Sequence, residues 1–399
     1  MKKIAISLGA ATLLTTTLSA NSVSDAITNG LFEGSVALYA QTQQNKGATK
    51  DNSFGNAHLK LKYNTDNFYN FSLGLEGKGN LKIAEKYSKD WENGAVPVGD
   101  EYKNNGLLTQ AYLKDGYKNN GLLTQAYLKY ELEQGFIFKA GRYESELAWL
   151  TDYQQGAIVE IDAIPAVLFT LAYSEKTATS DIDESSHFDR PLENYTKKGV
   201  YAIEIKDEAI EGFVFNPYYY QIPDAVKFYG LKVAYEHEFG GANLEYARSN
   251  LTSKYRSLSG DDNGYIAHAE VFGKADIFKL TGGAIVTSDK GGAEIMTSYG
   301  DTISPFKDGN QNYSKDARTI YASLNANIEE RFDFTALYGY TRYDDQVSGM
   351  DERELNLIFE YNFSEELALG LAYVKVKADS QNSEYNGYDK YLASIEYKF

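Results

Sequence analysis

Apolar and polar residues take turns along most of the chain with a period of two, most cleanly at its end. Tyr391, Ala393, Ile395, Tyr397 and Phe399 share one face of an extended segment, and Lys390, Ser394, Glu396 and Lys398 share the other. In a soluble sheet a terminal aromatic would hang in water on a fraying strand. With aromatic and aliphatic side chains toward lipid and polar ones toward a wet interior, the segment instead closes a transmembrane barrel. The competing assignment is an edge strand of a soluble β-sandwich.

The same periodicity predicts eighteen strands. They cover residues 32–43, 57–64, 68–79, 123–132, 136–143, 155–161, 166–174, 200–206, 211–219, 227–239, 242–249, 265–273, 277–287, 318–328, 332–340, 354–363, 367–376 and the terminal segment from 389. In the tenth, Tyr229, Leu231, Val233, Tyr235 and Phe239 are set against Lys227, Lys232, Glu236 and Glu238. Every second link is short (64–67, 133–135, 240–241, 274–276, 329–330 and 364–366), whereas most intervening links are longer and polar. That asymmetry is expected of a barrel with tight periplasmic turns, longer outer loops, an even strand number and both termini on one side. The link at 206–212 is longer than this rule wants.

A thirteen-residue stretch, YKNNGLLTQAYLK at 102–114, recurs at 117–129. The offset of fifteen is odd, so within one strand the second copy would exchange its lipid and lumen faces. Asp115-Gly116 is a hairpin signal that separates the copies, placing the second in the fourth strand and the first in the preceding outer loop. A local duplication tolerated in a loop accounts for it without a function.

Lys2 and Lys3 precede an apolar run that ends at Leu18-Ser19-Ala20, the pattern of a secretory signal. The expected organisation is a signal at 1–20 followed by one barrel domain at 21–399; small residues also permit a cut two positions later. No later apolar run is long enough for a membrane helix, and there is no cysteine for a lipid anchor, a disulfide or thiolate chemistry. The 34 tyrosines suit the interfacial girdles of a barrel. The formal charge of −17, or −19 without Lys2 and Lys3, argues against nucleic acid as a partner and suits outward-facing loops.

AYLKYE at 126–131, then KAGR at 139–142, then QGAIV at 155–159 resemble the OprD-like family of outer-membrane porins. The resemblance implies an eighteen-stranded barrel in the outer membrane of a Gram-negative cell that passes small hydrophilic solutes, with a third loop folded inward to narrow the pore. It also implies a homotrimer, and Phe399, Tyr397 and Ile395 resemble the signal read by the barrel-assembly machinery. The Arg, Met and Pro-rich stretch of the family's third loop has no counterpart in ESELAWLTDY at 144–153.

Strand parity turns a set of charges toward the lumen: Lys60, Lys62, Lys129, Lys139, Lys232, Lys390 and Lys398 against Glu76, Glu131, Glu204, Glu236, Glu238, Glu270, Glu354, Glu360 and Glu396. Opposed charges across a narrow lumen orient and select solutes; the plain alternative is solvated wall residues away from any constriction. Arg142 joins the set only if a bulge lets it share a face with Lys139, and Glu144, Glu146 and Asp152 with Trp149 are candidates for the narrowing loop. No cofactor is expected. None of the four histidines, His58, His187, His237 and His268, stands near a serine in a nucleophile motif, so an outer-membrane hydrolase is disfavoured. Asp181-Asp183-Glu184, Asp261-Asp262 and Asp344-Asp345 lack a complete calcium-loop pattern and read as solvated acidic loops. A passive pore and a barrel serving as adhesin or surface scaffold remain. N-terminal sequencing of protein purified from membranes should begin at Asn21 or, with the later cut, at Val23; a chain that retains Lys2 and Lys3 would refute the export signal.

Overall fold

The computed structural model describes residues 20, 22–46, 51–86, 121–133, 135–182, 186–309, 311–344, 349–378 and 387–399. The expected signal at 1–20, except Ala20, and the first copy of the duplication lie outside the described residues. A short helix, α1 (Val23–Thr28), leads into β1 (Leu31–Asn45), β2 (Asn52–Asn64), β3 (Phe71–Lys86), β4 (Gly121–Leu132), β5 (Phe136–Leu147), β6 (Leu150–Ile164), β7 (Val167–Ala178), β8 (Val200–Asp207) and β9 (Phe213–Ile222). There follow β10 (Val226–His237), β11 (Gly240–Leu251), helix α2 (Ser253–Ser259), β12 (Tyr265–Ala275), β13 (Phe278–Thr287), β14 (Lys315–Ile328), β15 (Phe332–Asp344), β16 (Met350–Asn362), β17 (Leu367–Ala378) and β18 (Tyr388–Lys398).

Each strand pairs antiparallel with its sequence neighbours, and β1 pairs with both β2 and β18, from Ser35↔Lys398 to Asn45↔Tyr388. The eighteen-stranded sheet therefore has no edge. In hydrocarbon that matters, because each unpaired backbone N–H or C=O costs several kcal/mol. Both described termini lie at the end of the barrel that carries the links 65–70, 133–135, 165–166, 208–212, 238–239, 276–277, 329–331 and 363–366. There α1 is tied to the first turn, with Asp66 N donating to Ala26 O at 2.9 Å. The other end carries the longer links, among them 179–199, 252–264 and 288–314, and two short ones at 148–149 and 223–225.

Eighteen strands were expected, and the ladders differ from the expected ranges chiefly in length. β2 begins at Asn52 instead of 57, β5 runs to Leu147, β6 starts at Leu150, β15 reaches Asp344 and β16 starts at Met350. All of these extensions are at the long-loop end. Beyond the bilayer both faces of a strand meet water, so pairing continues after the alternation has faded. At the other end three strands are shorter than expected by at least two residues: Tyr69 and Asn70, with φ of +50° and +69°, belong to the turn, so β3 starts at Phe71, while β9 starts at Phe213 instead of 211 and β10 ends at His237 instead of 239.

Exposed apolar residues cover the outside, including Val36, Leu38, Leu75, Leu231, Leu280 and Ile320. Aromatics bound this band at both ends. Toward the long loops the belt is tyrosine: Tyr173 pairs with Tyr201 at 5.0 Å, Tyr246 with Tyr265 at 6.0 Å and Tyr373 with Tyr391 at 5.1 Å between ring centroids. Toward the turns it is richer in phenylalanine, as in Phe71–Tyr130 at 4.7 Å, Phe213–Tyr235 at 4.6 Å and Phe332–Phe359 at 4.8 Å. Lys227 does not oppose Tyr229, as expected, but shares its outward face; it is tolerated there because it stands at the long-loop end of β10.

Phe399 closes the seam. Gly34 N donates to Phe399 O and Phe399 N to Gly34 O, both at 2.9 Å, and the Phe399 ring lies over Gly34, where a Cβ would come within 2.6 Å of it. Gly34→Val should displace the ring and destabilise the barrel by about 1–3 kcal/mol. In urea titrations followed by heat-modifiable gel mobility, Gly34→Val and Phe399→Ala should both unfold earlier than wild type and Phe399→Tyr should not; an unchanged Gly34→Val midpoint would contradict this packing.

Candidate functional site

The third outer link is a finger folded into the barrel. β5 follows β4 only as far as Arg142, opposite Ala126, whereas β5 and β6 stay paired to Leu147↔Leu150, leaving Ala148 and Trp149 as the tip. The departure is set by two facing glycines. Gly141 has φ of +127°, and a Cβ there would meet Ala126 O at 2.1 Å. Its partner Gly156 has Tyr173 O at 1.9 Å from the same construction, and the β6–β7 ladder shifts register at Gln155/Gly156. The narrowing loop expected at 144–153 is thus mostly strand. No register shift separates Lys139 from Arg142 in β5, so the bulge that Arg142 would need to share a face with Lys139 is not there, and the strand bends at Gly141 instead.

The tip crosses to the inner wall of β8 to β10. Ala148 N donates to Glu204 Oε1 at 2.8 Å and Trp149 N to the Tyr220 hydroxyl at 3.2 Å. The Trp149 ring is fully buried, edge-on to Tyr218 at 6.5 Å and Phe228 at 5.8 Å. Tyr220 and Tyr218 in turn donate to Glu204 and Glu245. On the finger's other face the Lys78 ammonium of β3 stands 4.8 Å from the centre of the Tyr153 ring. The finger therefore touches the wall on both sides.

Two further outer links enter the lumen. In 179–199, Ser180 O accepts from Lys78 Nζ at 2.7 Å and Ile182 O from Asn56 Nδ2 at 2.9 Å. Ile182 also packs on the inward apolar cluster of Tyr39, Phe54, Val374, Val376, Tyr388 and Leu392. In 288–314, Lys307 N and Asp308 N each donate to Glu354 Oε1 at 3.0 Å, and Gly309 N donates to Oε2. Asp308 is paired with Lys390 and accepts from the Tyr388 hydroxyl at 3.0 Å. The same link braces the finger, with Thr151 N donating to Tyr299 O at 3.1 Å. Burial, with Asp301 beside it, pushes the Tyr313 hydroxyl well above the usual phenol range, and burial likewise raises Tyr299. Both therefore stay neutral at physiological pH, and Tyr313 donates to Asp301.

The expected lumen residues divide by place. Lys60 pairs with Glu76 at 3.5 Å, Lys62 with Glu33 at 4.0 Å, Lys139 with Glu160 at 3.6 Å and Lys129 with Glu131. Lys62, Lys139, Glu144 and Glu146 come together around a cavity of about 610 Å³, which Glu160, Glu204, Lys206 and Lys232 also line. Arg142 lies on the face opposite Lys139; its guanidinium stacks on Phe188 at 4.4 Å and donates to Leu123 O at 3.0 Å, a carbonyl next to the gap left by β5. Asp152 sits in the finger, opposite Ser145, with φ of +62°. Two expectations need correcting. Glu354 is 2 % exposed and anchors a loop, so it is not an open pore charge. Glu236 pairs with Lys274 at the turn end of β10, away from the constriction. Lys78 and Lys206 were missed, although each stands two residues from an expected inward glutamate, Glu76 and Glu204.

Solved structures with this architecture include Acinetobacter baumannii OccAB3 and OccAB2, each with a TM-score of 0.72, at 10 % and 12 % identity, covering 94 % of this chain and 100 % and 99 % of theirs. Pseudomonas aeruginosa OccK1 (OpdK) matches with a TM-score of 0.71 at 12 % identity, over 94 % of this chain and 99 % of its own. At such identities the likeness is one of fold. No curated protein matches the sequence at a significant level. A family model described as "Putative outer membrane protein" matches residues 12–243, more than half of the chain. The chain therefore belongs to that family of outer-membrane proteins, and it has the fold of the Occ/OprD porins.

Proposed function

We propose that the barrel is a water-filled channel through which small hydrophilic solutes and ions cross the outer membrane by passive diffusion, without chemistry. The observation that supports it best is the finger of β5 and β6, which is held across the lumen and borders a cavity lined by charge of both signs. A scaffold or adhesin has no use for a braced, charged constriction inside its barrel. Lys62, Lys139, Lys206 and Lys232 face Glu144, Glu146 and Glu160 there, with Glu204 buried beneath the finger tip. Between low-dielectric walls such opposed charges focus the field and orient a solute that carries both signs. The same reading takes residues 1–20 as an export signal and Phe399, Tyr397 and Ile395 as the segment engaged by the assembly machinery, with a homotrimer in the membrane.

In planar bilayers the folded protein should give steady conductance steps; their absence would favour the scaffold. Trp149→Ala removes the ring that seats the finger tip, a loss of about 3–5 kcal/mol of packing at a well-filled site. It should give larger and noisier steps, and steps of wild-type size would disprove the finger as constriction. In a salt gradient, Lys62→Gln with Lys139→Gln should move the reversal potential toward cation selectivity, and Glu144→Gln with Glu146→Gln should move it the opposite way. Glu236→Gln should leave it in place. A shift from Glu236→Gln alone would put the selective charges elsewhere.

A further inference from the structure

The outward face of β14 to β17, just beyond the tyrosine belt, carries a basic strip that the channel does not use. Arg318 on β14 is directly opposite Arg342 on β15, and Arg353 on β16 is directly opposite Lys377 on β17. All four are exposed. Like charges directly across a ladder repel and destabilise it, and the chain as a whole is acidic, with a net charge of −17. Two such pairs on one face therefore run against both local stability and composition.

Their level is defined by the belt. Arg353 is opposite Tyr340, with its guanidinium 5.5 Å from the ring centre, and Arg342 follows Tyr340 by two residues on the same face. At a rise of about 3.3 Å per residue, Arg342 stands roughly 7 Å outward of the tyrosine, where the headgroups of the outer leaflet lie. Among the described residues the nearby carboxylates have partners: Asp316 pairs with Arg318 at 3.3 Å, Asp351, directly opposite Arg342, accepts from the Tyr340 hydroxyl at 2.6 Å, and Asp389 is held by Lys46 at 2.8 Å, Lys375 at 3.5 Å and the Tyr373 hydroxyl at 2.6 Å. Asp344 accepts from Gly349 N at 2.8 Å. Among the described residues, no carboxylate is ion-paired with Arg342, Arg353 or Lys377. A hollow of about 270 Å³ is lined by Arg318 and Arg342 together with Asp316, Asp344 and Gly349.

We propose that this strip binds the phosphate groups of the phosphorylated glycolipid that forms the outer leaflet of an outer membrane. Arg342, Arg353 and Lys377 make the charge contacts, Arg318 completes the set, and Tyr340 receives the sugar-level edge of the lipid. Anionic headgroups offset the repulsion within both pairs and attract each exposed cation. The proposal rests on the outer-membrane location and not on the channel reading, so neither falls with the other.

The test is binding of bisphosphorylated lipid A to the purified full-length barrel in detergent, read by native mass spectrometry. The variant Arg342→Gln/Arg353→Gln/Lys377→Gln should bind at least about tenfold more weakly, while Lys227→Gln/Arg248→Gln, which removes outward cations from β10 and β11, should bind as wild type does. Dephosphorylated lipid A should bind wild type as weakly as the triple variant binds lipid A, and millimolar inorganic phosphate should not displace the lipid. The triple variant should unfold in lipid-free detergent no earlier than wild type, because it relieves repulsion. Equal lipid A binding by wild type and triple variant, full displacement by inorganic phosphate, or earlier unfolding of the variant in lipid-free detergent would each overturn the proposal.

Discussion

Hydrocarbon offers no partner to a backbone amide, and the architecture of this chain follows from that. A sheet that crosses it has to close, and here β1 reaches both β2 and β18 with Gly34 and Phe399 as the last hydrogen-bonded pair. Once every N–H and C=O is engaged within the ladder, the side chains are free to sort by face. Leu38 and Leu231 meet lipid while Glu76, Glu204 and Glu354 on the other face meet a polar interior. The negative mean hydropathy of the chain, −0.45, is compatible with spanning a membrane because only every second residue has to be apolar.

Inside the barrel the same requirement works in reverse. A finger that leaves the wall frees backbone groups on itself and on the strand it abandons, and each needs a partner. Glu204 and the Tyr220 hydroxyl take the amides of Ala148 and Trp149, and the Arg142 guanidinium takes the carbonyl of Leu123. Glu354 does for residues 307–309 what Glu204 does for the finger tip. Two buried glutamates thus hold two loops across the lumen.

The strand count, the inward parity of Lys60, Lys62 and Lys139, and the closing segment at Phe399 were legible because lipid imposes period two on the residues it touches. Legibility ended where lipid does. The outer extensions of β2, β5, β6, β15 and β16 carry no alternation, so residues 144–153 read as a loop when they form most of a hairpin. Arg142 posed the right question about parity. Its answer depended on Gly141, whose backbone conformation no residue pattern reveals. Glu354 looked like any other inward glutamate, since the amides that cover it arrive from an irregular segment forty-five residues or more away in the chain.

Absence of cysteine from the chain makes accessibility the most direct probe of which face meets water. A single cysteine placed at Glu146 on the finger, and in a second protein at Leu38 on the outside, can be challenged with a charged, membrane-impermeant thiol reagent during single-channel recording. The lumen cysteine should react and step the current down, and the Leu38 position should stay inert. Reaction at Leu38 with an unreactive, unblocked cysteine at 146 would contradict the assignment of faces on which the account stands.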